Sequence, residues 1–316
     1  MKILSVFRTV WRKVRGARMA LLFLLLLFTA CKKTIDFDYN EIAPIVVVEG
    51  RVTNEGTEIV VTKSRSVTDS VRGRCLPGAV VTVSSDGVSE TIPYDALSLS
   101  YRSSLKGTPG KTYRLTVDFE GQRYEGESTM YAAAPILSAE FFWFSVLDER
   151  MVVYEVWAVD AAPDERNYYW YRMNRITHHP HFKDRKNMEV GDRIVERGKA
   201  YTWSVFDDRG NPPGLLYRDI MCMSERAAEE DEEENWDRIL YEGDTVTFQL
   251  MTIDRAAYDY FTSLRAGQGG GANPRSNLTG GCQGYFAAGS VTRADTLVFS
   301  YDAVKQEPTF TNQQKQ

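Results

Sequence analysis

The sequence predicts an all-β protein: an immunoglobulin-like sandwich followed by a larger β-sandwich-type domain with one short helix. Three observations point there. Apolar residues recur at every second position in short runs, the period that turns one face of a strand to a core and the other to water. Turn pairs such as Pro77-Gly78, Asp86-Gly87 and Glu120-Gly121 separate those runs at short intervals. Helical periodicity is confined to a single segment. With 316 residues, 43% hydrophobic, 26% charged and 12% aromatic, the chain can fill two cores, which excludes global disorder, a collagen-like chain and a multi-span membrane protein.

The elements follow in order. Six basic residues (Lys2, Arg8, Arg12, Lys13, Arg15, Arg18) precede the apolar run from Ala20 to Phe28, which meets Thr29-Ala30-Cys31. The run is shorter than the ~20 residues a permanent spanning helix needs, so residues 1–30 read as a signal for export. Its end resembles the lipobox of bacterial lipoproteins, with Phe28 where Leu is usual, and Cys31 is the expected lipidation site. An uncleaved amino-terminal anchor is the alternative. Residues 31–43 then form a lipidated tether. Lys32 and Lys33, with no Asp directly after Cys31, resemble tethers sent to the outer membrane.

From residue 44 to 132 the chain reads as the first sandwich. Pro44 to Thr53 and Glu58 to Thr62 are β-branched strands, and Ala79 to Ser84 follows the Pro77-Gly78 turn. Lys111 to Phe119 alternates at Tyr113, Leu115, Val117 and Phe119, and Glu120-Gly121 turns it into a terminal hairpin with Gln122 to Ser128. Six or seven short strands at this spacing suggest an immunoglobulin-like sandwich. Ala132-Ala-Ala-Pro135 reads as a linker.

Residues 133–304 read as the second β-domain, with longer, aromatic strands at 136–146, 151–159, 167–176, 200–206 and 245–253. Asp254 caps the one helix, in which Tyr258, Phe261 and Leu264 share a face until Gly267. A glycine-rich loop follows; Tyr285-Phe286 and Thr296 to Ser300 close the sheet. Residues 305–316 are a polar tail expected to fray.

Without residues 1–30 the chain holds 32 Lys and Arg against 43 Asp and Glu, a formal charge of −11. No basic field remains to attract nucleic acid. Acylation of Cys31 leaves Cys75, Cys222 and Cys282. An exported protein permits one disulfide, for which Cys222 and Cys282 are the pair in the carboxy-terminal half; three buried, unpaired thiols are the equal alternative.

Chemistry-bearing clusters are few. His178, His179 and His181 are the only histidines, and no Cys or carboxylate stands nearby at a tetrahedral ligand spacing, so a solvated loop is favoured over a metal site. Glu225, Glu229 to Glu234 and Asp237 place eight carboxylates in thirteen residues. They lack the alternate spacing and the glycine bend of a calcium loop, which favours a solvated acidic segment. Gly280-Gly-Cys282-Gln-Gly284 matches a nucleophile elbow in letters, but it leads into a strand where the elbow needs a helix. Neither a dinucleotide nor a Walker fingerprint is present. Trp143, Trp157, Tyr168, Trp170, Trp203 and Trp236 could form stacking platforms, though strand aromatics more often fill a core.

Ile45 to Thr53, Pro77 to Val83, Gly110 to Val117 with Tyr124, Tyr258 to Leu264, Asn273-Pro274, Asn277 and Gly280 to Phe286, taken with Cys31, resemble a family of Bacteroidota lipoproteins known as domain-of-unknown-function family 4249. The resemblance spans nearly the whole chain after the signal. It implies an immunoglobulin-like first domain, a larger β-domain, genetic company with TonB-dependent outer-membrane receptors and no known catalytic activity. Where the family usually has an aliphatic residue between the glycines, this chain has Cys282. The expectation is a non-enzymatic, lipid-anchored outer-membrane protein without a cofactor, an accessory or ligand-binding subunit beside a TonB-dependent receptor. A surface adhesin or spacer is the alternative, and a hydrolase using Cys282 or the histidines is the third reading.

Overall fold

The computed structural model describes residues 43–64, 75–146, 149–177, 189–190, 193–194, 199–227, 239–267 and 273–305. Residues 1–30, Cys31, most of the tether, His178, His179, His181, Glu229 to Asp237 and residues 306–316 lie outside them. The first eight strands are β1 (Val46–Thr53), β2 (Gly56–Lys63), β3 (Val80–Ser85), β4 (Val88–Ile92), β5 (Tyr94–Asp95), β6 (Ser100–Ser103), β7 (Thr112–Phe119) and β8 (Gln122–Thr129). They make an all-β sandwich. Alternation sets the faces: in β7, Tyr113, Leu115 and Val117 are buried while Thr112 and Arg114 are exposed. The inward residues of β3 and β7 meet those of β1 and β2 in one core, with Val81, Val83, Leu115 and Val117 against Val48, Val52, Ile59 and Val61.

The remaining strands are β9 (Ile136–Val146), β10 (Glu149–Val159), β11 (Tyr168–Ile176), β12 (Glu189–Val190), β13 (Arg193–Ile194), β14 (Lys199–Asp207), β15 (Leu215–Ser224), β16 (Ile239–Leu240) and β17 (Thr245–Ile253). After the single helix α1 (Arg255–Gly267) come β18 (Leu278–Thr279), β19 (Gln283–Arg293) and β20 (Leu297–Val298). Sheet β16-β15-β10-β9 packs its inner face, including Tyr154, Val156, Leu216 and Ile220, against Tyr171, Met173, Phe248 and Leu250 of β11 and β17. Aromatic pairs dominate this core: Tyr154 meets Phe248 at 5.8 Å between ring centroids, and Phe141 meets Phe299 edge-on at 5.5 Å.

The expected boundary between residues 132 and 133 does not divide the fold. Strand β19 pairs in parallel with β1 from Gln283 to Gly289, then antiparallel with β17 from Ser290 to Arg293. One strand therefore belongs to both sandwiches, and the nine-stranded sheet runs β14-β11-β17-β19-β1-β2-β6-β5, with β20 on β17. The described residues form one compact unit. The Ala-rich linker is stitched to the same strand, since the Thr292 hydroxyl donates to Ala134 O at 2.8 Å and Ser290 donates to Tyr131 O. The tail expectation changes at its first residue: Trp143 N donates to Lys305 O at 2.9 Å, which covers part of the edge of β9.

The helix forms where the apolar spacing places it. Asp254 Oδ1 accepts from Ala257 N at 2.8 Å, which satisfies one of the amides left open at a helix start. Ala257, Tyr260 and Phe261 turn inward and cover Tyr285 of β19, with Phe261 and Tyr285 centroids 4.7 Å apart.

Candidate functional site

The glycine-cysteine loop is a structural lock. Gly280, Gly281 and Gly284 hold φ values of 89°, 86° and 112°, a region that side chains rarely adopt. A Cβ on Gly284 would come within 1.9 Å of Val48 O, so glycine here permits the close parallel approach of β19 to β1. Asn277 acts as a surrogate strand for β19, donating through Nδ2 to Phe286 O at 2.7 Å and accepting from Phe286 N at 2.9 Å.

Cys282 points into the first core, and burial pushes its thiol up to about 11. A nucleophilic thiol needs the opposite shift. The disulfide reading is corrected as well. Cys222 packs in the second core with Val152 and Tyr154, Cys282 packs in the first with Val48 and Tyr124, and Cys75, Cys222 and Cys282 are all buried with no disulfide among them. Nearness along the carboxy-terminal half misled because β19 crosses into the other sandwich. His178, His179 and His181 lie outside the described residues; among the described residues no group of three His, Cys, Asp or Glu converges to hold a metal.

The aromatic side chains serve packing. Trp143 stacks on Tyr301 at 6.4 Å, Trp170 stacks on Phe261 at 4.9 Å and Trp203 meets Phe261 edge-on. Trp157 lies beside Tyr217, its cross-strand neighbour, at 4.8 Å. Trp236 is outside the described residues.

An open hollow of about 230 Å³ lies at one end of the first sandwich. The sequence reading missed it. Its floor is apolar, formed by Val83, Leu105 and the ring of Tyr113, and Val88 makes one wall. Asp86, Glu90, Lys106 and Lys111 supply its charges, of which Lys111 and Asp86 pair at 3.1 Å. The lip opposite β4 is held in place: Thr57 Oγ1 donates to Leu105 O at 2.8 Å, Gly107 N to Thr53 O at 2.8 Å, and Thr108 N to the Tyr113 hydroxyl at 2.8 Å. A Cβ on Gly107 would meet Met130 Sδ at 2.5 Å, so any larger residue there would force the buried Met130 side chain to shift. The hollow is thus preformed, with room for a side chain or a small ligand and less than the ~300 Å³ at which drug-sized sites begin. The one signal for it in the sequence was Asp86-Gly87, whose turn leads into β4 at the edge of its sheet.

Position adds meaning to that geometry. The hollow adjoins the Thr53 end of β1, whereas the tether enters at the Val46 end, where Ile45 N donates to the Ser64 hydroxyl at 2.9 Å. Eight residues of strand separate the ends, roughly 25 Å.

The family described as domain of unknown function (DUF4249) matches residues 32–295, which covers both sandwiches, the lock loop and the shared strand. The chain belongs to that family. No curated protein matches it. In this DUF4249 chain the family motifs that converge are structural ones: Ile45 to Thr53 contains β1, Gly280 to Phe286 leads into β19, and the two strands are parallel neighbours. Tyr258 to Leu264 is the helix segment that packs on β19.

Proposed function

We propose that this protein is a non-enzymatic, lipid-anchored outer-membrane protein that serves as an accessory or binding subunit of a TonB-dependent uptake system. The observation that carries the reading is the placement of a preformed, open hollow at the end of the first sandwich opposite the entry of the tether from Cys31. A lipid on Cys31 and twelve residues of tether, spanning at most about 40 Å, would leave that end free to meet a partner. Membership of DUF4249, the lipobox-like Thr29-Ala30-Cys31 and the acidic balance of the chain support it. The burial of Cys282 removes the residue on which the hydrolase reading leaned most. The spacer reading needs a first domain that can be exchanged, and removing residues 44–132 would strip β19 of its partner β1.

Affinity capture of the tagged, full-length protein from detergent-solubilised native membranes tests the reading. The expected result is recovery of a β-barrel receptor that is lost from cells lacking this protein's anchor. Recovery of the protein with no outer-membrane barrel would overturn it.

A further inference from the structure

The strand above the hollow carries an unused edge. The Asp86-Gly87 turn has φ values of 51° and 78°, the two-residue hairpin with both central residues left-handed, so Ser85 and Val88 form its hydrogen-bonded closing pair. Hydrogen-bonded pairs then alternate along an antiparallel ladder, making Val83 with Glu90 and Val81 with Ile92 the next ones. The amides and carbonyls of Val88, Glu90 and Ile92 are spent on β3. Those of Ser89 and Thr91 point outward. β4 ends its five-stranded sheet, and among the described residues no strand takes up that edge.

Side chains alternate oppositely. Val83 is core-facing and 1% exposed, so its cross-strand neighbour Glu90 lies on the core-facing side too. Val88 shares that side yet is 73% exposed, because the hollow lies beneath it. Asp86 and Lys111 neutralise each other, and Lys106 stands on the opposite lip with no ion pair to Glu90 among the described residues. A strand added to β4 would therefore send every second side chain toward an apolar hollow containing a carboxylate without a described partner.

We propose that the outer edge of β4 docks an extended segment of a partner protein, an apolar residue of which enters the hollow beside Val88 while a Lys or Arg two residues along meets Glu90. This deepens the binding reading above and rests on it. Backbone pairing with Ser89 and Thr91 supplies attachment, and the hollow and Glu90 supply selection. A second copy of this chain fits poorly. A twofold antiparallel β4 pair with Val88 opposite Ile92 sets Glu90 against Glu90, and the register with Val88 opposite Glu90 buries a carboxylate on an apolar side chain.

The test uses the full-length mature protein in detergent and a fluorescein-labelled peptide, acetyl-Thr-Val-Thr-Lys-Thr-Val-Thr-amide, with fluorescence anisotropy as readout. The Lys peptide should bind at least tenfold more tightly than its Glu counterpart, and Glu90→Lys should invert the order. Ser89→Pro removes an outward amide and none from the β3 ladder, so it should abolish binding of both peptides. Slowed hydrogen exchange at the Ser89 and Thr91 amides in the unmutated protein gives the same answer should the proline variant fail to fold. Equal binding of the two peptides, or a preference unchanged by Glu90→Lys, overturns the proposal. So does a dimer in sedimentation that Ser89→Pro dissociates. Capture of a barrel that survives both variants would leave the uptake reading standing and remove the docking strand alone.

Discussion

The Ser128 hydroxyl of β8 donates to Asp254 Oδ2 at 2.5 Å and accepts from Ala288 N of β19 at 2.7 Å. One buried hydroxyl thus joins the first sandwich, the shared strand and the helix cap. Burial raises the pKa of Asp254 above its ordinary 3.8, with the Ser128 and backbone hydrogen bonds opposing the shift. The raised value means the native state holds this proton more tightly than the unfolded chain does. The stabilising share of Asp254 is then complete below 3.8 and is lost as pH rises through its folded value.

Asp254→Asn removes that titration while keeping an acceptor for Ala257 N and a polar group for Ser128. Urea unfolding of both proteins from pH 4 to pH 7 should show the Asn variant gaining on the parent as pH rises. Asp254→Ala should cost about 0.5–2 kcal/mol through the lost cap, and more through the orphaned Ser128 hydroxyl. A stability difference between parent and Asn variant that is flat across the range would show that the carboxyl titrates alike in both states.

Glycine 284 and its neighbour Gly281 separate close approach from backbone preference. Both hold positive φ, but a Cβ on Gly284 strikes Val48 O at 1.9 Å while one on Gly281 meets nothing within 4 Å. Gly281→Ala should cost about 1–2 kcal/mol, the ordinary penalty of the left-handed region. Gly284→Ala should exceed roughly 4 kcal/mol or leave no folded protein, because parallel pairing of β1 and β19 cannot survive the collision. Thermal melts of the two variants side by side make the comparison, and similar melting temperatures would mean that β1 and β19 are not paired in this register.

These glycines also mark where sequence reasoning ran out. The hairpin of β7 and β8 was legible because Tyr113, Leu115 and Val117 alternate within a few residues of the Glu120-Gly121 turn, whose φ values are 50° and 78°. The helix was legible from Asp254 and its apolar spacing. The union of the two sandwiches was not, since β1 and β19 are parallel partners more than 230 residues apart and nothing local encodes that register. Strand β19 is buried from Gly284 to Val291, so it shows no alternation to mark one wet face. The hollow escaped notice for a related reason: Val88 and Glu90 look like surface residues until Val83, the cross-strand neighbour of Glu90, shows which way both face.

The cysteines give a direct check on the sandwich assignment. Cys222 and Cys282 sit in separate cores, and burial raises the thiol pKa of both Cys75 and Cys282. The native mature protein should resist iodoacetamide and migrate identically with and without reductant. In denaturant three thiols should become available. Cys282→Ala should leave membrane capture unchanged, at a stability cost of a small buried side chain. A mobility shift on reduction would restore the disulfide pairing and contradict the placement of β19.

The anchor makes the sharpest demand on the cell. Acyl chains on Cys31 would hold the protein at a membrane with about 0.8 kcal/mol per buried methylene, several chains acting together. Among the described residues no helix is long and apolar enough to cross a membrane. If the lipid is the anchor, Cys31→Ser should release the processed protein from the membrane or accumulate the uncleaved precursor, and the parent should incorporate a palmitate analogue and partition into detergent. The two outcomes of the variant are told apart by size, since the precursor retains residues 1–30. Processed Cys31→Ser protein that still sediments with outer membranes would assign the attachment to a protein partner, in which case Ser89→Pro in the same background should release it if β4 is the contact. A parent that takes up no label sinks the lipid assignment itself, because the lipobox reading of Thr29-Ala30-Cys31 has no other chemistry to offer.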